Sequence, residues 1–201
     1  MKKPLLTTVV LLSVLFLHAQ NDESPLKAFK LDFSLGGAIP QGAGSKGGGL
    51  FAIEPKYAVA DQLNVGLRIE LAVMARAFPY SDGTYSSTNV SVSGSDLVTG
   101  DFYFTTTSFR PFIGAGGGVY RLASASTNDN GYASDVASAT KLGAMVRAGF
   151  EVGHFRLAVE YNFVGNSTVQ VTDNYGNVSS TMAKNSYLGI KLGGWIGFGK
   201  F

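Results

Sequence analysis

The 201-residue chain contains no cysteine, which excludes disulfide bonds, thiolate metal ligands and a cysteine-linked lipid anchor. Beyond its first residues, the chain also lacks an apolar run approaching the ~20 residues that a membrane-spanning helix requires. A helical spacing of apolar residues is missing as well, whereas glycine is abundant, with 26 residues. These features favour an all-β fold. If such a chain enters a membrane it must close into a barrel, because lipid offers no hydrogen-bond partners to open strand edges.

Residues 1–19 are typical of a secretory signal peptide. Two lysines form a basic start, residues 5–17 are apolar, and Ala19 provides a small residue for cleavage. The apolar segment is too short to span a bilayer as a helix, which favours a cleaved leader over an uncleaved anchor. We therefore predict a signal peptide at 1–19 followed by one domain at 20–201.

Neither sign of charge predominates in the mature chain. The leader contains two of the 16 basic residues and none of the 14 acidic ones, so 14 of each sign remain. A neutral chain without basic clusters is not typical of a nucleic-acid-binding protein. We expect no nucleic-acid partner.

The clearest pattern is a pair of strands around a turn at 153–154. Apolar residues occupy every second position on both sides of the turn, which indicates strands with one apolar and one polar face. They are Leu142, Ala144, Val146, Ala148, Phe150 and Val152, then Phe155, Leu157, Val159, Tyr161 and Phe163. On the polar face, a two-residue turn places Glu151 opposite Arg156 and Arg147 opposite Glu160, which are pairs of opposite charge.

The same period of two recurs along the mature chain and predicts eight strands. They cover residues 29–39, 50–60, 63–77, 97–108, 111–122, 141–152, 155–165 and 186–198. Three tight turns alternate with long polar loops at 40–49, 79–96, 123–140 and 166–185, an asymmetry typical of outer-membrane barrels. Aromatic residues near strand ends are candidates for the girdles of such a barrel. They are Phe29, Tyr57, Phe155, Tyr161, Tyr187 and Trp195. We predict an eight-stranded antiparallel up-and-down transmembrane β-barrel.

Turn lengths predict two further registers. A three-residue turn between the second and third strands places Glu54 opposite Arg68. A two-residue turn at 109–110 places Tyr103 opposite Gly116. A glycine facing a large side chain makes room for it inside a narrow barrel.

Charged residues recur on the polar faces of the strands. They are Glu54, Lys56, Arg68, Glu70, Arg76, Asp101, Arg147, Glu151, Arg156, Glu160 and Lys191. Because opposite charges face each other, we predict that the polar side is enclosed and the aliphatic side meets lipid. Seven of these residues form the predicted interior ion network: Glu54, Arg68, Glu70, Arg147, Glu151, Arg156 and Glu160. An eight-stranded barrel is only wide enough for its own side chains, and enclosed charges must be paired.

Two other kinds of barrel share this period of two, and both remain alternatives at this point. Rings of charge in a lumen can select ions, so a narrow gated pore is one alternative. A secreted lipocalin-like barrel with its faces reversed is the other, since alternation alone does not say which face is inside.

The whole mature chain resembles the small OmpA/OmpX-type outer-membrane β-barrels. The resemblance is carried by the signal peptide, the eight-strand pattern, the stretch RPFIGAGGGVY at 110–120 and the aromatic end with Trp195, Phe198 and Phe201. The junction after Ala19 is most similar to versions from Bacteroidetes.

The resemblance implies a monomer in the cell outer membrane, in contact with membrane lipid and lipopolysaccharide. It also implies insertion by the barrel assembly machinery, which reads an aromatic-ended last strand. The implied role is non-enzymatic: envelope integrity, or surface interaction through the loops at 79–96, 123–140 and 166–185.

Signals for catalysis or cofactors are weak. Residues 42–47 match G-x-G-x-x-G by letter, but the helix that this motif requires is missing. Asn and Asp side chains at 128–135 offer oxygen ligands for calcium, but their spacing does not match an EF-hand. Some barrels of this membrane modify lipid A, but the single histidine of the mature chain, His154, lies in a short turn without a neighbouring Ser or Cys nucleophile. We predict no catalytic residue, no metal and no cofactor.

Overall fold

The computed structural model describes residues 27–41, 46–76, 89–127, 133–172 and 178–199. The strands in these ranges are β1 (Phe29–Pro40), β2 (Lys46–Ala60), β3 (Leu63–Arg76), β4 (Asn89–Tyr103), β5 (Phe109–Thr127), β6 (Ala133–Val152), β7 (Phe155–Val164), β8 (Ser167–Thr172), β9 (Val178–Ala183) and β10 (Tyr187–Phe198). The predicted signal peptide, residues 128–132 and Phe201 lie outside the described residues. The described ranges contain no helix long and apolar enough to cross a membrane.

Eight of these strands close into an antiparallel barrel in the order β1-β10-β7-β6-β5-β4-β3-β2. The first strand meets the last along its whole length, from the pair Phe29–Phe198 to the pair Pro40–Tyr187. The predicted eight-stranded up-and-down barrel is therefore confirmed. We call the end with the β2–β3, β4–β5 and β6–β7 turns the turn end, and the opposite end the loop end.

The barrel has its aliphatic side outside and its charged side inside. On β6 and β7, Val146 and Val159 are 48% and 43% exposed, whereas Arg147 and Glu160 are 6% and 1% exposed. The same alternation runs along β3, where every second residue is apolar and exposed. This facing is the predicted one, and it excludes the reversed, lipocalin-like barrel.

The β6–β7 turn has the predicted length and register. Gly153 adopts a positive φ of 56°, a conformation that glycine accepts without steric cost. The register places Arg147 opposite Glu160 and Glu151 opposite Arg156, as predicted.

The predicted register of β4 and β5 is wrong. Tyr103 lies opposite Phe112, not Gly116, because residues 104–108 form a wider turn than the two-residue turn at 109–110. The hydroxyls of Thr105 and Thr107 donate hydrogen bonds to the Phe109 carbonyl, at 2.6 and 3.0 Å, and stabilise this wider turn.

Several residues predicted as loops are strands. β4 already begins at Asn89, β5 and β6 extend through most of 123–140, and the 166–185 segment contains the separate β8–β9 hairpin. These stretches alternate Ser, Ala, Thr and Val. Their β-branched residues favour strands, but the difference in polarity between their two faces is too small to mark a period.

Candidate functional site

Eight charged side chains meet inside the barrel near the turn end, and we call them the turn-end cluster. They are Lys30, Asp32, Glu54, Lys56, Asp101, Arg147, Glu151 and Arg156, all of them buried. A continuous set of ion pairs connects all eight. With four acids and four bases, the cluster carries no net charge.

Arg147 lies at the middle of the turn-end cluster. Its two terminal nitrogens donate to both carboxylate oxygens of Glu54, at 2.8 and 2.6 Å, and its Nε donates to Asp101 Oδ1 at 2.6 Å. Glu54 is on β2 and Asp101 on β4, neither of which borders β6 in the sheet. The guanidinium therefore spans the lumen, and its bidentate contact is the strongest type of protein ion pair.

Arg156 and Lys30 complete the cluster toward the turn end. Arg156 donates to Glu151 Oε1 at 2.6 Å and to Asp101 Oδ2 at 2.9 Å. Lys30 Nζ binds the other Glu151 oxygen at 3.1 Å, and the Tyr103 hydroxyl donates to Oε1 at 2.5 Å. Both Glu151 oxygens are thus hydrogen-bonded.

A second group of four charges, the loop-end cluster, lies closer to the loop end. It consists of Arg68, Glu70, Glu160 and Lys191, all buried. Arg68 and Lys191 each contact both carboxylates, including 2.6 Å from Arg68 Nη1 to Glu160 Oε1 and 2.8 Å from Lys191 Nζ to the same oxygen. The Tyr187 hydroxyl donates to Glu70 at 2.6 Å. This cluster is also neutral by itself.

All seven residues of the predicted interior network belong to these clusters, but their partners differ from the prediction. Glu151 contacts Arg156 directly, as its register suggests. Arg147 and Glu160 face each other in register but form ion pairs with other residues. Glu54 likewise pairs with Arg147, not Arg68. Long side chains in a narrow barrel reach across the lumen and are not limited to the adjacent strand.

The sequence prediction omitted Lys30 and Asp32 from the interior ions. Both lie on the face of β1 opposite the outward Phe29 and Leu35, so their parity already indicated the interior. Arg110 was assigned to a turn, but β5 begins at Phe109, two residues earlier than predicted, and places Arg110 inside. The side chain of Arg76 lies outside the described part of the chain.

Glycines on the inner faces make room for the charged groups. A Cβ at Gly114 would lie 2.2 Å from Asp101 Oδ1 and 3.0 Å from Arg147 Nε. The prediction that glycines accommodate large partners is therefore correct, although the register error assigned the wrong partner.

Aromatic and cationic side chains close the turn end of the lumen. Trp195 is 2% exposed, with Lys30 Nζ 4.0 Å from the centre of its ring. The guanidinium of Arg110 lies 4.0 Å from the Tyr103 ring, and that of Arg156 lies 3.8 Å from the Phe112 ring. We call this layer the floor. Trp195 and Tyr187, both predicted for the outer girdles, point inward instead, because they share the parity of Lys191.

An apolar layer fills the lumen between the loop-end cluster and the loop end. Its buried members are Ala38, Leu50, Ala72, Met74, Leu97, Tyr120, Leu122, Met145, Val164 and Tyr187. Between the two ion clusters there is a cavity of about 20 Å³, lined by side chains that include Asp32, Ser34 and Glu160. That space is enough for about one water molecule.

The lumen thus holds charged groups in paired form. Its carboxylates are paired with guanidinium and ammonium groups, and the Thr99 hydroxyl donates to Glu54 Oε1 at 2.5 Å. His154 lies in the β6–β7 turn, where its ring contacts Trp195 at a centroid distance of 4.5 Å. Among the described residues, no group of three or more potential metal ligands occurs.

The contact between His154 and Trp195 predicts a pH-dependent fluorescence signal. Burial, and then the positive charges of Lys30 and Lys27, lower the pKa of His154 below its ordinary value of 6.5. A protonated imidazole quenches a neighbouring indole, so we expect Trp195 emission to fall at a midpoint below pH 6.5. The unfolded chain binds this proton more tightly, so stability also decreases as the pH falls below 6.5.

The measurement is an emission titration of the folded mature protein, in which Trp195 is the single tryptophan. His154→Gln keeps a polar side chain but cannot titrate, so its emission should be flat over the same range. An equal fall in that variant, or a midpoint above 6.5, would contradict the assignment.

Solved structures share this fold, although no family of known proteins matches the sequence and no curated protein matches it. The crystal structure of Neisserial surface protein A, NspA, is 17% identical, with a TM-score of 0.52 over 85% of this chain and 97% of that one. The outer membrane protein OprG from Pseudomonas aeruginosa is 15% identical, with a TM-score of 0.55 over 88% of this chain and all of that one.

These similarities establish the fold. The predicted resemblance to small eight-stranded outer-membrane barrels is confirmed at that level. The names of both neighbours describe a surface or outer-membrane protein, and neither name describes an enzyme.

Proposed function

We propose that the protein is a non-enzymatic barrel of the cell outer membrane, with a sealed, salt-bridged lumen, and that it serves envelope integrity or surface interaction. The carrying observation is the combination of an exposed aliphatic belt with two neutral ion clusters buried inside it. A protein with this combination is more stable surrounded by lipid hydrocarbon than by water.

The outer surface supports a membrane location. Exposed apolar side chains cover the outward positions of strands on different sides of the barrel, including Leu67, Ile69 and Leu71 on β3 and Ile190 and Leu192 on β10. A continuous apolar surface of this kind is costly in water. Every backbone edge of the barrel is paired, which lipid requires.

The filled lumen favours a structural role over a narrow gated pore. The floor, the two ion clusters and the apolar layer succeed one another along the barrel axis, and the cavity between the clusters holds about 20 Å³. Opening a path would separate buried ion pairs, and breaking one such pair costs about 3–5 kcal/mol.

Surface interaction would use the loop end. Paired residues of β5 and β6 continue to Thr127 and Ala133, far beyond Gly143, where β7 stops pairing with β6. The β8–β9 hairpin lies at the same end, and its base is fixed by Asn185, whose amide donates to the Gly165 carbonyl at 2.7 Å. We propose that the β5–β6 extension and the β8–β9 hairpin contact partners outside the membrane. Lipopolysaccharide would surround them at the membrane surface.

We propose that the barrel acts as a monomer. Its last strand ends on the outward Phe198, which fits recognition by the barrel assembly machinery during insertion. Membrane lipid surrounds the belt.

The test combines gel mobility with electrical recording. Protein from outer-membrane fractions should migrate differently before and after boiling, because a folded barrel resists unfolding in detergent. The folded fraction, placed in a planar bilayer, should then give no discrete conductance steps over a wide voltage range. Reproducible steps would establish the narrow pore instead. Release into buffer without detergent would contradict the membrane location, and an altered lipid A in a deletion strain would establish an enzyme.

A further inference from the structure

We propose that a groove on the outer face of β1, β10 and β7, near the turn end, binds an acyl chain of a glycerophospholipid from the inner leaflet. This inference rests on the proposed membrane location and identifies one lipid-binding site within it.

The groove originates from one missing side chain in the aliphatic belt. Phe33 on β1, Gly194 on β10 and Phe155 on β7 are paired side by side across three strands. In the next outward row toward the loop end, Leu35 and Leu192 occupy the corresponding positions. Gly194 therefore leaves a notch between two phenylalanines.

The notch belongs to a groove of about 890 Å³. Its outward lining is almost wholly apolar and includes Phe33, Leu35, Phe51, Phe155 and Leu192. Water in an apolar groove makes few hydrogen bonds, and cavities lined by such residues bind apolar groups instead. Within a bilayer, the available apolar group is an acyl chain, and the groove is open sideways to receive it.

The end of the groove fixes where the head group lies. The groove reaches the β6–β7 turn, where Gly153 and His154 line it. A head group located over this turn places its acyl chain along Gly194.

The position of the groove decides between lipid sources. In the proposed orientation the short turns face the periplasm, so the turn end lies in the leaflet that consists of glycerophospholipid. Lipopolysaccharide occupies the opposite leaflet, near the loop end, and does not reach the groove. A free fatty acid would also fill the notch, and a fatty-acid probe tests that source.

The experiment uses the full mature protein folded into vesicles of phosphatidylethanolamine and phosphatidylglycerol. A small fraction of the lipid carries a photoreactive diazirine within one acyl chain, and labelled peptides are mapped by mass spectrometry after irradiation. We expect labelling around Phe33, Phe155 and Leu192 at least several-fold above that of outward residues at the same depth on β4. Even labelling around the belt would overturn the proposal.

A matched pair of variants tests the notch. Gly194→Leu fills it and should reduce groove labelling to the level of the rest of the belt. Gly100→Leu is the control, because Gly100 faces outward near the same end on β4, the strand opposite β10, and an added Cβ meets only the Asn64 carbonyl at 4.0 Å. Unchanged labelling in Gly194→Leu would contradict the site.

Two further arms separate the possible failures. Stronger groove labelling by a photoreactive fatty acid than by the phospholipid probe would refute a phospholipid as the occupant. Gel mobility of each unheated variant reports whether the barrel is folded in the vesicles, so loss of the membrane location is recognised independently. If Gly194→Leu does not fold, the labelling map of the wild-type protein decides alone.

Discussion

Replacement of Arg147 by methionine should destabilise the folded barrel by about 3–5 kcal/mol, the cost of leaving a buried charge without its partner. Arg147 holds both oxygens of Glu54 and one oxygen of Asp101, so its removal leaves two buried carboxylates short of hydrogen bonds. Methionine keeps much of the volume, so a cavity contributes little to the loss. The measurement is urea unfolding in thin-bilayer vesicles, followed by Trp195 emission.

Two controls isolate the effect of the uncompensated charge. Arg121→Met removes an ion pair with Asp96 on the outer surface, where Arg121 is 64% exposed, and should cost below about 1 kcal/mol. Adding Glu54→Gln to Arg147→Met removes one orphaned charge and should recover part of the stability. A double variant as unstable as Arg147→Met, or a negligible effect of Arg147→Met itself, would contradict the role of the turn-end cluster.

An arginine placed on the belt should be nearly as disruptive. Val159 faces outward at the middle of β7, beside Ala148 and Ile190. At the bilayer midplane a lipid-facing arginine costs about 2–4 kcal/mol, and near the interface about 0–1 kcal/mol. Val159→Arg should therefore lower the unfolding free energy in vesicles by the larger amount, and Val59→Arg, at the turn end of β2, by the smaller.

The depth dependence is the informative part of this comparison. On a protein surrounded by water, both substitutions would change stability by about 0.5 kcal/mol or less. Equal, small effects of Val159→Arg and Val59→Arg would thus oppose the membrane location, even if the barrel itself is folded. A large effect at both sites would instead indicate a local packing role for Val59.

The β6–β7 hairpin was predictable because its two faces differ strongly in polarity and Gly153 marks the turn. The start of β4 and the length of β5 and β6 were not. At the start of β4 only Val90 and Val92 alternate with serines, which is too short a run to mark a strand, and in β5 and β6 Ser and Ala provide almost no difference between faces. In the β4–β5 turn, register depended on Thr105 and Thr107, whose hydroxyls stabilise a wider turn without leaving a spacing signal. Strand existence thus follows from periodicity, whereas register needs the turn geometry.

The ion clusters could be predicted as a set of residues but not as a set of contacts. Strand parity identifies which side chains are inside, and it would also have identified Lys30, Asp32 and the inward Trp195. Which base meets which acid depends on how the sheet curves to bring β6 opposite β2, and pairwise register does not contain that information. The outer groove escaped prediction for a similar reason, because Phe33 and Phe155 come together only once β10 has closed the barrel.

The distribution of the charges over the strands constrains how the chain enters a bilayer. The loop-end cluster takes Arg68 and Glu70 from β3, Glu160 from β7 and Lys191 from β10, so no single hairpin contains the whole cluster. A hairpin crossing alone would carry part of the cluster into hydrocarbon without its native partners. Insertion of one hairpin at a time is therefore unfavourable. The sheet should be nearly closed, and shielded from hydrocarbon, before lipid surrounds it. Lys191 on β10, the last strand, then completes the loop-end cluster.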